Sequence, residues 1–365
     1  MLWRKQHTAQ PKPLGLRPPR LVLDAELEWV LQRAFGPLSS VISPLSGQRA
    51  IDTALRLDVA ARIAARHPRE RLEREISSGP AQRLREQYVA SVARGARLEH
   101  ALAGVLERAA GANVSCILLK YAALNRMGVL RTGARVASDI DVLVPHERSR
   151  ELQSILISAG YRDLGLAESN HQLPALRAPS GVLIELHVHV PLVSLAPGQR
   201  FARADDLLAA GLTIPSGDAL LPHPTILAAH AVTHGLLQHT LAPHMYSPLK
   251  AFADLADLQL ASPGALEGAA PYLAAIMTPR DMTSVRTLLH ALSEGDLEAA
   301  LRGDAGALLR HSLASQLDRR YAIWLRLSSL TQPRTTARRR SAAEIFTAFR
   351  AAWTWARSRA PNHRL

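Results

Sequence analysis

The chain reads as an α+β protein. Strand signals are confined to one central stretch, helical periodicity occupies the sequence on both sides of it, and 365 residues that are 47% hydrophobic can bury a sizeable core. No internal repeat is visible. Residues 1–20, with Pro11, Pro13, Pro18 and Pro19 among basic residues, have the composition of a flexible arm. Residues 21–110 read as an N-terminal helical region. Its last helix, over roughly 81–110, repeats Leu84, Tyr88 and Val92 and then Leu98, Leu102 and Leu106 at four-residue spacing, with Gly111 as its stop. Residues 111–215 hold the strands, and 216–330 return to helical periodicity. Residues 331–365 form a basic tail that opens with Arg334, Arg338, Arg339 and Arg340 and carries Trp353 and Trp355.

Within the central stretch, Asn113 to Lys120 reads as a short buried strand ending in a charge, followed by a helix-compatible segment from Tyr121 to Met127. The run Ser138-Asp139-Ile140-Asp141-Val142-Leu143-Val144 is the most informative of the chain. A strand alternates its side chains, so Asp139 and Asp141 share one face while Ile140, Val142 and Val144 pack behind them. Two carboxylates side by side repel unless a cation sits between them, and Mg²⁺ with a nucleotide's phosphates is the natural guest. An isolated Asp-x-Asp is as readily a solvated strand end, so the neighbourhood has to decide. Pro145 closes this strand, residues 146–159 carry a helical pattern, and Gly160 stops it before Tyr161. From Val182 to Val190 the even positions are all aliphatic, and the odd ones place Glu185, His187 and His189 on the opposite face. Glu185 is a candidate third carboxylate.

Taken together, Leu118-Leu119-Lys120, Arg135-x-x-Ser138-Asp139-Ile140-Asp141, the helix ending in Ala159-Gly160-Tyr161-Arg162, His171 and Ile184-Glu185-Leu186-His187 resemble the bacterial uncharacterised nucleotidyltransferase family of the DNA polymerase β-type superfamily. The resemblance covers roughly residues 85–260 and includes a later helical segment with His230, His234, Lys250 and Asp254. It implies a small mixed sheet with helices on it, flanked by helical regions, and Mg²⁺ (or Mn²⁺) held by Asp139 and Asp141. Glu185 becomes a third ligand or a general base. Lys120, Arg135 and Ser138 become phosphate contacts for a nucleoside triphosphate such as ATP, and His171, His187, His234, Lys250 and Asp254 become pocket residues. One departure stands out: the family usually follows its strand-end lysine with glycine, where this chain has Tyr121, a side chain able to crowd the phosphate. Lys120 thus has two readings, a phosphate ligand or a cation that only balances Asp139 or Asp141.

Composition narrows the remainder. Cys116 is the one cysteine, placed within the first buried strand, so it reads as a core residue, and a disulfide framework is excluded. A reducing cytoplasm is the expected compartment. No apolar run approaches the roughly 20 residues needed to span a bilayer, and the N-terminus lacks the apolar core of a signal peptide. The net charge of +13 suits an anionic partner, yet nearly all the cations are arginine; the lysines are Lys5, Lys12, Lys120 and Lys250. His230 and His234 are four apart on a helix, a spacing zinc sites use, although pocket-lining histidines are the simpler account. Lys250 and Asp254, also four apart, suit a helix-surface ion pair as well as a pocket wall. No nucleic-acid module accompanies the basic tail, so a protein or small-molecule acceptor is favoured over nucleic acid. The expected activity is nucleotidyl transfer to a hydroxyl; the alternative is a catalytically weak nucleotide-binding or adaptor relative.

Overall fold

A computed structural model describes residues 21, 23–40, 42–165, 171–199, 201–238 and 249–318. The basic arm and the basic tail with Trp353 and Trp355 lie outside the described residues.

The N-terminal region is helical: α1 (Ala25–Ala34), α2 (Gly47–Arg56), α3 (Ala60–Arg66), α4 (Arg69–Ile76) and α5 (Ser78–Gly111). Asp24 and Ser46 start α1 and α2 by accepting hydrogen bonds from the amides of Leu27 and Arg49, which satisfies donors that a helix start leaves open. The 34 residues of α5 span about 51 Å at 1.5 Å per residue. Leu84, Leu98, Leu102 and Leu106 form its buried stripe with Ala101 and Val105, while Tyr88 and Val92 of the same four-residue series are only half-buried.

Helix α5 feeds β1 (Ile117–Leu118), which turns directly into α6 (Lys120–Arg126). Then come β2 (Asp139–Leu143), α7 (His146–Ser158), β3 (Arg162–Asp163), β4 (Leu176–Arg177) and β5 (Leu183–His187). Strands β6 (Val190–Pro191) and β7 (Phe201–Ala202), helix α8 (Ala204–Ala209) and the hairpin β8 (Thr213–Ser216) and β9 (Ala219–Pro222) follow. Seven strands form one mixed sheet in the order β3-β4-β5-β2-β1-β9-β8. β2 runs parallel to β5, and β1 parallel to β9, while the other neighbours are antiparallel. β2 is therefore central. Its Ile140 and Val142, with Ile184 and Leu186 of β5, are buried against the helices, which is the apolar half of the alternation seen in the sequence. Cys116 is buried immediately before β1, and burial pushes its thiol up to about 12.

The unbroken alternation over 182–190 does not give one strand. β5 stops at His187, and β6 pairs with β7 in a separate two-stranded ribbon. The chain is tied at this point to the 171–173 segment by a bond from the Val188 amide to the His171 carbonyl, and Leu192 then turns it with a φ of 61°. His189 stacks on Phe201 of that ribbon with ring centroids 4.3 Å apart and stands 6.3 Å from the His171 ring.

Beyond the sheet, α9 (Pro224–His230) passes without interruption into a π-helix (Ala231–Gln238), a rare element that often marks functional sites. Helices α10 (Leu249–Ala261), α11 (Ala265–Leu273), α12 (Pro279–Glu294), α13 (Leu297–Ala300) and α14 (Gly303–Leu317) complete the described chain. α13 and α14 reach back to α1 and α2, and Arg62 of α3 pairs with Asp257 of α10 at 2.5 Å. The two helical regions thus close on each other beside the sheet. No described helix is long and apolar enough to cross a membrane.

Candidate active site

The parallel register of β2 and β5 sets Asp139 opposite Leu183 and Asp141 opposite Glu185. Asp141 and Glu185 therefore project side by side from neighbouring strands. One ligand atom from each of Asp141, Glu185 and His187 falls within 4.8 Å of the others, and this is the one such group among the described residues. Glu185 is thus close enough to Asp141 to share a cation, while Asp139 sits outside that tightest group.

Lys120 arrives from the other side. The Leu119 amide donates to the Asp141 carbonyl at 3.0 Å, so the antiparallel β1–β2 pairing delivers the next residue to the aspartate. The Lys120 ammonium lies 2.6 Å from Asp141 Oδ1. Its backbone is left-handed, with φ 46°, a conformation that costs a non-glycine residue about 1–2 kcal/mol. His187, with no exposed side-chain surface, places Nε2 2.8 Å from the same Oδ1 and 3.7 Å from Glu185. Burial raises the Asp141 carboxyl, but Lys120 and His187 outweigh it and hold the group well below the usual range. Burial opposes the charged form of His187, and Asp141 and Glu185 overcome that and raise it. Asp139 goes the other way. Burial, and then the charge of Asp141, push its carboxyl up; Ser138 Oγ donates to it at 3.1 Å, and among the described residues no cation pairs with it.

These groups border a cavity of about 980 Å³. Lys120, Arg135, Ser138, Asp139 and Glu185 line it, as do His171, His230, His234, Lys250 and Asp254. Asp141 and His187 do not: they stand behind Lys120 and Glu185. His187 is therefore not a pocket residue in the sense the sequence suggested; it orients Asp141 from the core side. His171, 5.6 Å from the His187 ring, is lowered to about 4 by burial and by the charges of His187 and Lys120. His230 and His234 meet edge to face at 5.5 Å where α9 becomes the π-helix, and no metal-ligand group among the described residues contains them. Burial, then the charge of Lys120, hold His230 well below its ordinary value.

Two expectations change, one about an ion pair and one about Tyr121. Lys250 and Asp254 share α10 yet do not pair with each other. Lys250 bonds Asp58 at 2.5 Å, and Asp254 takes Arg135 through Nε at 2.7 and 2.9 Å. Each finds a better partner across the cavity wall than along its own helix. Tyr121 does not line the cavity. It is buried under Arg135, whose guanidinium lies 5.8 Å from the ring centroid, and its hydroxyl fills the space beside Gly95 of α5. The wall also draws on Leu55, Arg56 and Asp58 from the N-terminal helices, residues that no motif marks.

A sequence model described as uncharacterised nucleotidyltransferase matches residues 44–268. The match contains the whole carboxylate cluster and also α2, which supplies the far wall of the cavity. No curated protein and no solved structure matches the chain.

Proposed function

The chain belongs to the uncharacterised nucleotidyltransferase family, transferases of phosphorus-containing groups, and on that premise we propose that it moves a nucleotidyl group from a nucleoside triphosphate to an acceptor hydroxyl. In that reaction the acceptor oxygen bonds to the α-phosphorus, the bond from that phosphorus to the bridging oxygen breaks, pyrophosphate leaves, and the hydroxyl proton is released. The observation that carries the reading is the carboxylate cluster, three acidic side chains on adjoining parallel strands at a large cavity, of which Asp139 and Glu185 face the cavity directly. We assign the sheet to the polymerase β type.

Oxygen-rich donors suit Mg²⁺ or Mn²⁺, and Asp139, Asp141 and Glu185 would hold the ion. Bound there, it supplies neutralisation of phosphate charge and activation of the acceptor hydroxyl. The protein's own contribution is orientation. His187 fixes the Asp141 carboxylate from the core side, as partners behind a ligand do. Lys120, Arg135 and Ser138 face the phosphates. The volume of about 980 Å³ stands at the upper end of ligand pockets, room for a nucleotide and a compact acceptor on a protein or small molecule. Tyr121 is not among the residues lining the cavity, which favours the transferase over a catalytically weak adaptor. The test is pyrophosphate release and thermal shift with each of four nucleoside triphosphates and Mg²⁺. Stabilisation by at least one of them only with Mg²⁺, with any pyrophosphate release to water as the substitute acceptor, supports the activity; stabilisation that does not depend on Mg²⁺ supports the adaptor.

A further inference from the structure

Asp141 does not line the cavity, whereas its neighbours Lys120 and Glu185 do. Asp139, Glu185 and Lys120 line the cavity, whereas Asp141 is 3% exposed and has the Lys120 ammonium 2.6 Å from Oδ1. On the reading above, that carboxylate must meet a divalent cation, and an ammonium and a metal ion compete for it. The other donor to Oδ1, His187, is locked in the core. Lys120 is the movable one: its unbranched side chain lines the cavity and is 16% exposed.

Taking Lys120 away leaves a buried carboxylate with one positive partner fewer, a state that is strongly disfavoured unless another cation arrives at once. Metal alone makes the exchange but moves the ammonium off its nearest anion and sets it beside a second cation. Metal with triphosphate satisfies both, since Lys120 can pass to a phosphate oxygen. We propose that Lys120 is a resident surrogate cation, which seals Asp141 against free divalent ions and gives it up only when metal and triphosphate enter together. The inference rests on the proposed activity for its ligand, but the seal itself concerns the metal alone. Reciprocity of binding then requires the triphosphate to tighten the metal by the same factor that the metal tightens the triphosphate.

Mn²⁺ binding followed by electron paramagnetic resonance tests this, first without nucleotide and then with a non-hydrolysable ATP analogue. Lys120→Met should bind free Mn²⁺ about ten-fold or more tightly than the parent, within the usual range of site-to-site coupling. The analogue should tighten Mn²⁺ strongly in the parent and much less in the variant. Equal free-Mn²⁺ affinities overturn the proposal. So does an equal gain in Lys250→Met, which removes a cavity lysine paired elsewhere and reports bulk charge alone. Lys120→Gln, which retains a donor for Asp141, takes the place of the Met variant if circular dichroism shows the latter unfolded. Should the parent bind no nucleotide with any metal, the proposed activity fails while the free-Mn²⁺ comparison still decides the seal.

Discussion

Arg33 of α1 and Asp141 of β2 are both charges held out of water, and they are completed differently. Arg33 is wholly buried and every arm is used: Nε and Nη2 bond Glu75 at 2.7 and 2.8 Å, Nη1 bonds Ser40 at 2.9 Å, and Nη2 also reaches the Ile42 carbonyl at 3.2 Å. Glu75 in turn accepts from Trp29 and Arg71. In the sheet, one ammonium and one imidazole meet Asp141, Glu185 reaches only that imidazole at 3.7 Å, and Asp139 pairs with neither. A closed network serves structure; the open one is short of positive charge and suits a ligand that brings it. Opposite responses to substitution should follow.

The largest effect belongs to the closed network. Glu75→Ala leaves the Arg33 guanidinium buried without its carboxylate and should lower unfolding free energy by about 3–5 kcal/mol, the usual result of breaking a buried pair. Denaturant unfolding reads it directly. Asp139→Asn should do the reverse. It removes a carboxylate that burial and Asp141 already disfavour, so the melting temperature should hold or rise while metal-dependent nucleotide binding falls by more than about ten-fold. Loss of stability comparable to that of Glu75→Ala would erase the distinction between the two regions.

His67 sharpens the comparison through pH. Burial lowers it from 6.5 to about 4, and it bonds the Arg33 carbonyl at 3.0 Å. Between those values the unfolded chain binds the extra proton, so its contribution is complete above pH 6.5 and declines as pH falls toward 4. His67→Gln should therefore lose less melting temperature between pH 7 and pH 5 than the parent.

The smallest effect concerns Tyr121. A Cβ at Gly95 would stand 2.8 Å from the Tyr121 hydroxyl. Gly95→Ala should forfeit the gain of about 1 kcal/mol that alanine usually gives within a helix. In a Tyr121→Phe background, where the hydroxyl is gone, the gain should return; equal effects in both backgrounds would contradict the contact.

Local patterns in the sequence foreshadow the local parts of the site but not its long-range pairings. The period-two patterns around Asp139, Asp141 and Glu185 are local, and they separate the three carboxylates from the aliphatic face of their strands; of the three, Asp139 and Glu185 line the cavity and Asp141 does not. The Asp141-to-Glu185 register is a pairing across 44 positions, which alternation cannot supply. The same limit hid the partners of Lys250 and Asp254: both are long-range, while the sequence offered only the i,i+4 neighbour. The strand break after His187 escaped because the aliphatic rhythm continues to Val190 although the chain changes partner strand. The π-helix at Ala231 carries no signal that distinguishes it from an α-helix.

The central claim is that the open cluster awaits a metal-bound triphosphate. Its most direct test is the melting temperature of the parent protein and of Asp139→Asn with Mg²⁺ alone, with each nucleoside triphosphate alone, and with both. The account predicts a clear rise only for the combination, with at least one nucleotide, and its disappearance in Asp139→Asn. A rise of equal size without Mg²⁺, or one that survives in Asp139→Asn, would contradict it.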